Sequence, residues 1–187
     1  MSRTYRLLHR LKDGKEHGEM IQWSIAESEA EREEGVKFVC QHGEGLGLLY
    51  NWSTVMNSLV YAIEDNGFII GTDDEGGMAA VLAHTAGTLE DGYKDPGRVE
   101  VHLLYFNERH RGGASMLGAL RMLVQKLVES QMEVREVVFF APATDGNRSL
   151  FGKLATLTKT TEPPCGVLDF YTIPLGRLLR FDPYQRL

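Results

Sequence analysis

Two arginines and two adjacent glycines stand together in Arg109-His110-Arg111-Gly112-Gly113-Ala114-Ser115. Ahead of them "VEVHLLYF" alternates as a strand does. Behind them Met116, Leu117, Leu120, Leu123, Val124, Leu127 and Val128 recur at helical spacing. The start of a helix presents unpaired N–H groups and a partial positive charge. Glycines let a ligand approach those donors closely, and Arg109 and Arg111 add charge beside them. Such residues suit a diphosphate held mostly by main-chain donors. A turn that only reverses the chain would use the same residues, and the local motif does not separate the two.

The rest of the chain limits what this turn can serve. With 187 residues, 43% of them hydrophobic, it suits one domain with a real core. A net charge of −6 argues against non-specific nucleic-acid binding, although basic stretches such as "RLLHRLK" and "GRLLRF" leave room for a local patch. The only cysteines, Cys40 and Cys165, form no CxxC pair, so neither a metal site nor a disulfide framework is expected. The first residues are basic without an apolar run of signal-peptide length. No stretch reaches the roughly 18 apolar residues of a membrane span, so a cytoplasmic protein is expected.

The elements that must position the turn are read from periodicity and punctuation. Residues 5–11 are a possible first strand. "SIAESEAEREEGVKFVCQH" reads as a helix with two capping-box candidates, Ser24-x-x-Glu27 and Ser28-x-x-Glu31, and with Val36, Val39 and Cys40 as its buried face. "GEGLG" at 43–47 follows a polar helix end and lacks both nucleotide-loop spacing and lysine, so it reads as a connection. "NWSTVMNSLVYAIEDNG" is a second helix, with Val55, Leu59, Ala62 and Ile63 inward and Gly67 as its stop. Residues 68–70 and 79–82 flank the turn signal at 73–77 and predict a hairpin. Residues 87–97 read as a polar loop. Residues 98–106 read as a strand with Val99, Val101 and Leu103 on one face and Glu100, His102 and Leu104 on the other. The long helix follows, then the strand "VREVVFFAP" stopped by Pro142. "DGNRSLFGKLATLTK" reads as a short helix with Asp145 or Asn147 near its cap, "GVLDFYTIPL" as a last strand, and the tail from Gly176 carries Arg177, Arg180 and Arg186. This order predicts an α/β single domain over residues 1–187, its core at about 20–175. A mixed central sheet is flanked by helices and has one parallel, right-handed crossover.

The segment "VEVHLLYFNERHRGGASMLGALRMLVQKL" resembles the signature of the GNAT superfamily of N-acetyltransferases. That family's Gln/Arg-x-x-Gly-x-Gly/Ala motif lies between a central strand and a long helix. Arg109-x-x-Gly112-x-Ala114 fits it without a gap, and the order of elements fits from about 25 to 173. The resemblance implies acetyl-coenzyme A as co-substrate, with the amides of Arg111, Gly112, Gly113, Ala114 and Ser115 taking the phosphates. The strand end at Leu103, Leu104 and Tyr105 would bond the pantetheine arm. Asn147 fits an asparagine the family carries after the next strand.

The implied reaction is acetyl or other acyl transfer to an amine by direct attack. The attacking amine must lose a proton. Glu100 is the base candidate, on the motif strand near where many family members carry a glutamate, and His102 is the alternative base or a core histidine. The family's tyrosine after the asparagine is missing, since Phe151 and then Lys153-Leu154-Ala155 fill its region. Tyr105 or Tyr171 is left as a proton donor, against a packing role for both. The acidic balance suits a cationic acceptor such as a polyamine, an aminoglycoside, a lysine side chain or a protein N-terminus. The implied partners are an amine-bearing small molecule or protein, with oligomerisation open. The rival reading is a GNAT-like protein that binds coenzyme A or a protein partner without turnover.

Overall fold

The computed structural model describes residues 21–43, 52–130, 132–163 and 166–180. The expected strand at 5–11, residues 44–47 of the glycine connection, Cys165 and Arg186 lie outside the described residues. Strands β1 (Gln22–Ile25), β2 (Phe68–Thr72), β3 (Met78–Ala86), β4 (Arg98–Phe106), β5 (Glu136–Pro142), β6 (Thr156–Thr161) and β7 (Leu168–Pro174) form one sheet. Its order is β1-β2-β3-β4-β5-β7-β6. Only β4 and β5 pair in parallel among the described strands, and the helix between them supplies the long crossover this requires.

Helices cover both faces. α1 (Glu29–Gln41) and α2 (Trp52–Glu64) pack Phe38, Val39, Val55 and Leu59 against Phe68, Ile70, Val81 and Tyr105. α3 (Gly113–Glu129) and α5 (Leu175–Leu179) cover the other face, where Ala119, Leu123, Leu127 and Leu178 meet Leu82, Val99, Val137 and Ile173. α4 (Asp145–Phe151) follows β5. α3 presents Ala119 inward where the sequence pattern suggested Val128, which is exposed.

Several expectations change. Ser24 lies in β1, so only Ser28 caps α1. Its hydroxyl accepts from Glu31 N–H at 3.2 Å, and the Glu31 carboxylate accepts from Ser28 N–H at 2.9 Å. Reciprocal satisfaction of orphan donors fixes this helix start. Ser28→Ala should therefore lower stability by about 1 kcal/mol. A urea midpoint unchanged by the substitution would show that the cap contributes nothing. Within α1, Cys40 is exposed and Gly35, Phe38 and Val39 form the buried face. α4 stops at Phe151, and residues expected to continue it form β6. That segment, TLTKTT, is rich in β-branched threonine and pairs antiparallel with β7, which outweighs its weak helical pattern. Thr144, not Asp145 or Asn147, caps α4 through its hydroxyl.

Candidate active site

β4 is the strand on which the site is built, and it does not alternate regularly. Opposite β3, Ala83 faces Leu103 while the next residue, His84, faces Val101. His102 is the extra residue of a β-bulge, and past a bulge the two faces of a strand exchange. Val101 and Leu104 therefore pack with the α3 side, and Leu103 and Tyr105 with the α1–α2 side. This corrects the simple alternation, which put Leu103 beside Val101 and Leu104 beside Glu100. The parallel ladder between β4 and β5 ends at Val101↔Phe139, although β4 continues to Phe106 and β5 to Pro142. The strands part at the bulge, and the backbone of Leu103 and Leu104 has no rung on β5.

On the α2 side of the bulge lies a cavity of about 250 Å³. Val55, Leu59, Leu103, Phe140 and Phe170 give it apolar walls, and Glu100 and His102 face it. Glu100 is buried; its Oε2 accepts from Leu89 N–H at 2.8 Å, and its Oε1 lies 3.7 Å from His102 Nδ1. His102 Nε2 lies 2.8 Å from Thr85 Oγ1. Burial raises the Glu100 carboxyl above its ordinary range, while the Leu89 N–H and Arg98 pull the other way. Burial pushes His102 down to about 4, so its imidazole is neutral near pH 7. A carboxylate whose pKa is raised by burial is the better-matched proton acceptor of the two, since burial drives the imidazole the other way.

Sequence reasoning missed three groups at this cavity. Tyr93 comes from the 87–97 loop, and its ring lies 6.5 Å from that of His102 and 5.3 Å from that of Tyr61. Tyr93 has φ 61, a left-handed conformation that bulky residues rarely adopt. Gly87 makes room for it, since a Cβ there would stand 2.6 Å from the Tyr93 Cα. Burial first, then the charge of Glu100, raises the Tyr93 phenol, which stays protonated. Lys159 of β6 and Glu90 pair at the cavity rim, with the ammonium 5.0 Å from the Phe170 ring centre. A tyrosine in a polar loop and a lysine among threonines carry no local signal of a shared site.

The glycine turn lies at the opposite end of β4. Gly112 is the N-cap of α3 with φ −174 and no side-chain cap. An added Cβ at Gly112 or at Gly113 would meet nothing within 4 Å. Neither backbone strain nor internal packing demands glycine at these two positions. Gly112, Gly113 and Ala114 are exposed and Ser115 is half-buried, so the first amides of the helix lie under small residues. Arg109 is exposed. The Arg111 guanidinium turns back, donating to Phe106 O at 3.2 Å and to Tyr105 Oη at 3.4 Å.

Other expected site residues are placed elsewhere. Tyr105 is buried against Phe38 and His42, away from the walls of the Glu100 cavity. Tyr171 is fully buried, stacked on Phe139 with its hydroxyl toward Asp169. Asn147 donates from Nδ2 to Pro142 O at 2.9 Å and ties α4 to the end of β5.

No family model and no curated protein matches the sequence. Solved structures do match in three dimensions. A candidate acetyltransferase from Acinetobacter baylyi is 16% identical with a TM-score of 0.64, over 86% of this chain and 94% of that one. A NatC complex bound to Gag peptide and CoA matches at 11% identity and TM-score 0.62, over 82% and 98%. An N-acetyltransferase from Staphylococcus aureus matches at 13% and 0.61, over 83% and 99%. At such identities the likeness is one of fold: the chain has the mixed seven-stranded fold of the GNAT acetyltransferases.

Proposed function

We propose that the protein is a divergent GNAT acyltransferase that moves an acetyl or related acyl group from coenzyme A to an amine. The observation that carries this reading is the opening between β4 and β5, with an uncapped, small-residue helix start at one end and a buried carboxylate beside its apex. The first amides of α3 would hold the pyrophosphate, with Arg109 adding charge. The free edge at Leu103 and Leu104 would receive the pantetheine amides. Bound there, the co-substrate supplies an activated acyl thioester. Glu100 takes the proton that the attacking amine must lose, and a strand N–H of the bulge supports the oxyanion. The C–N bond forms, the C–S bond breaks, and the thiolate leaves. A thiol with pKa near ~8.5 departs tolerably without a dedicated acid, so the missing family tyrosine does not forbid turnover.

The test is a two-by-two comparison of wild type and Gly112→Asp, with and without saturating acetyl-coenzyme A. At 100 times its dissociation constant a ligand adds about 2.7 kcal/mol to stability, so the wild type should melt higher with the co-substrate. Gly112→Asp should lose that response through charge repulsion at the helix start. The substitution introduces no steric conflict in the unliganded fold, since its Cβ enters open space. Absence of any wild-type shift at millimolar co-substrate would overturn the reading. Release of free thiol in the presence of amines separates transfer from binding alone.

A further inference from the structure

The charges around the Glu100 cavity balance in a way that selects an acceptor. Among the described residues, five titratable side chains line it: Glu90, Tyr93, Glu100, His102 and Lys159. Tyr93 and His102 are uncharged near neutral pH. Glu90 and Lys159 neutralise each other at the rim, and the lysine is further held over Phe170. Among the described lining residues an ionised Glu100 is then the one unbalanced charge, with Arg98 and Asp91 acting on it from outside the lining, at the end of a cavity whose remaining walls are largely aliphatic and aromatic. Its volume of about 250 Å³ is smaller than the roughly 300–1,000 Å³ of sites for drug-sized ligands. One ammonium on a slender apolar body satisfies both the charge and the walls. A second ammonium near the rim would face Lys159 and would have to break its pair with Glu90.

We propose that the acceptor site takes a primary monoamine on an apolar body, with Lys159 acting as a specificity-determining residue that rejects a second cation. This rests on the acyl-transfer reading for its chemistry and narrows the acceptor away from polyamines and aminoglycosides. A free alkylamine, an apolar first residue of a peptide and a lysine side chain share this chemistry.

Isothermal titration of the full chain at pH 7.5, without co-substrate, tests the recognition directly. Hexylamine should bind at least about tenfold more tightly than 1,6-diaminohexane, a gap in line with repulsion between like charges in a partly buried site. Lys159→Met leaves Glu90 unbalanced and should move the ratio about tenfold toward the diamine, because the second ammonium then meets Glu90 in place of Lys159. Lys159 is partly exposed on a surface strand, so the variant should fold. Equal or tighter wild-type binding of the diamine, a ratio unmoved in Lys159→Met, or no binding of either amine would each overturn the proposal. Two peptides, one offering a leucine α-amine and one a lysine ε-amine with its terminus blocked, identify the source by which of them matches hexylamine. Thiol release from acetyl-coenzyme A is measured separately. A monoamine preference without release would keep the specificity and sink acyl transfer, whereas release with a diamine preference would do the reverse.

Discussion

Glu100→Gln should lower kcat by about 10²–10⁴-fold while leaving the dissociation constant of acetyl-coenzyme A nearly unchanged. The glutamine amide keeps the size of the carboxyl, and its oxygen can still accept from Leu89 N–H, as Glu100 Oε2 does at 2.8 Å. What it loses is the capacity to take a proton. A base acts on the transition state and not on co-substrate affinity, so the two effects should separate. The pH profile gives a second reading. Burial raises the Glu100 carboxyl above its ordinary value of 4.5, so the base form accumulates as pH rises through that raised pKa. The wild-type rate should climb over the same interval, and the variant should lack this limb. His102→Gln should have a smaller effect, since an imidazole pushed down to about 4 is a weak base for an ammonium. If Glu100→Gln keeps the wild-type rate across pH, or if His102→Gln proves the more damaging change, the assignment of the base is wrong.

The protein should also lose stability as pH falls from about 6.5 toward 4, and His84 should account for about 3 kcal/mol of that loss. His84 is 3% exposed in β3, and among the described residues neither ring nitrogen has a hydrogen-bond partner. Burial, then the positive charge of Lys126 and the neighbouring His102, pushes its pKa from 6.5 down to about 4. The sign follows from proton counts. Between those values the unfolded chain binds a proton that the native histidine refuses. The stabilisation is thus complete above about pH 6.5 and is lost on acidification. His102 adds a contribution of the same sign, and Glu100, whose pKa is raised in the native state, opposes both. A variant therefore isolates the effect better than the wild-type curve. His84→Leu should remove up to about 1.4 kcal/mol per pH unit from the slope of unfolding free energy near pH 5. Asp169, held near 2 mainly by its Arg148 pair, loses its contribution only below about 3.8, outside this window. Urea titrations at pH 7.5, 6, 5 and 4.5 measure the difference, and parallel slopes in the two proteins would refute the buried-histidine account.

The parts of the site legible from residues alone are those with short-range causes. β4 spans residues 98–106 as its alternation and flanking turns suggested. α3 begins at Gly113 because the chain, after leaving β4 at Phe106 through a short turn at Glu108–His110, enters a run of helical spacing. The hairpin of β2 and β3 follows its turn signal, and Ser28 with Glu31 caps α1. In each case the deciding contacts lie within a few residues along the chain. Glu100 and His102 could be placed side by side for the same reason.

What those two residues face was decided by the tertiary structure. The bulge at His102 is a property of register between β4 and β3, and period-two spacing in one strand cannot reveal a skipped partner in another. The parting of β4 from β5 likewise depends on how far two strands joined by α3 stay in register. β1 and β6 exist because β2 and β7 offer them hydrogen-bonding edges; alone, such short sequences compete poorly with helix or loop. The same sheet carries Phe140, Lys159 and Phe170 to one cavity, while a left-handed backbone seated on Gly87 brings Tyr93 there. These side chains are distant in sequence and have no common local pattern, so only the closed sheet, with α2 packed upon it, makes them one site.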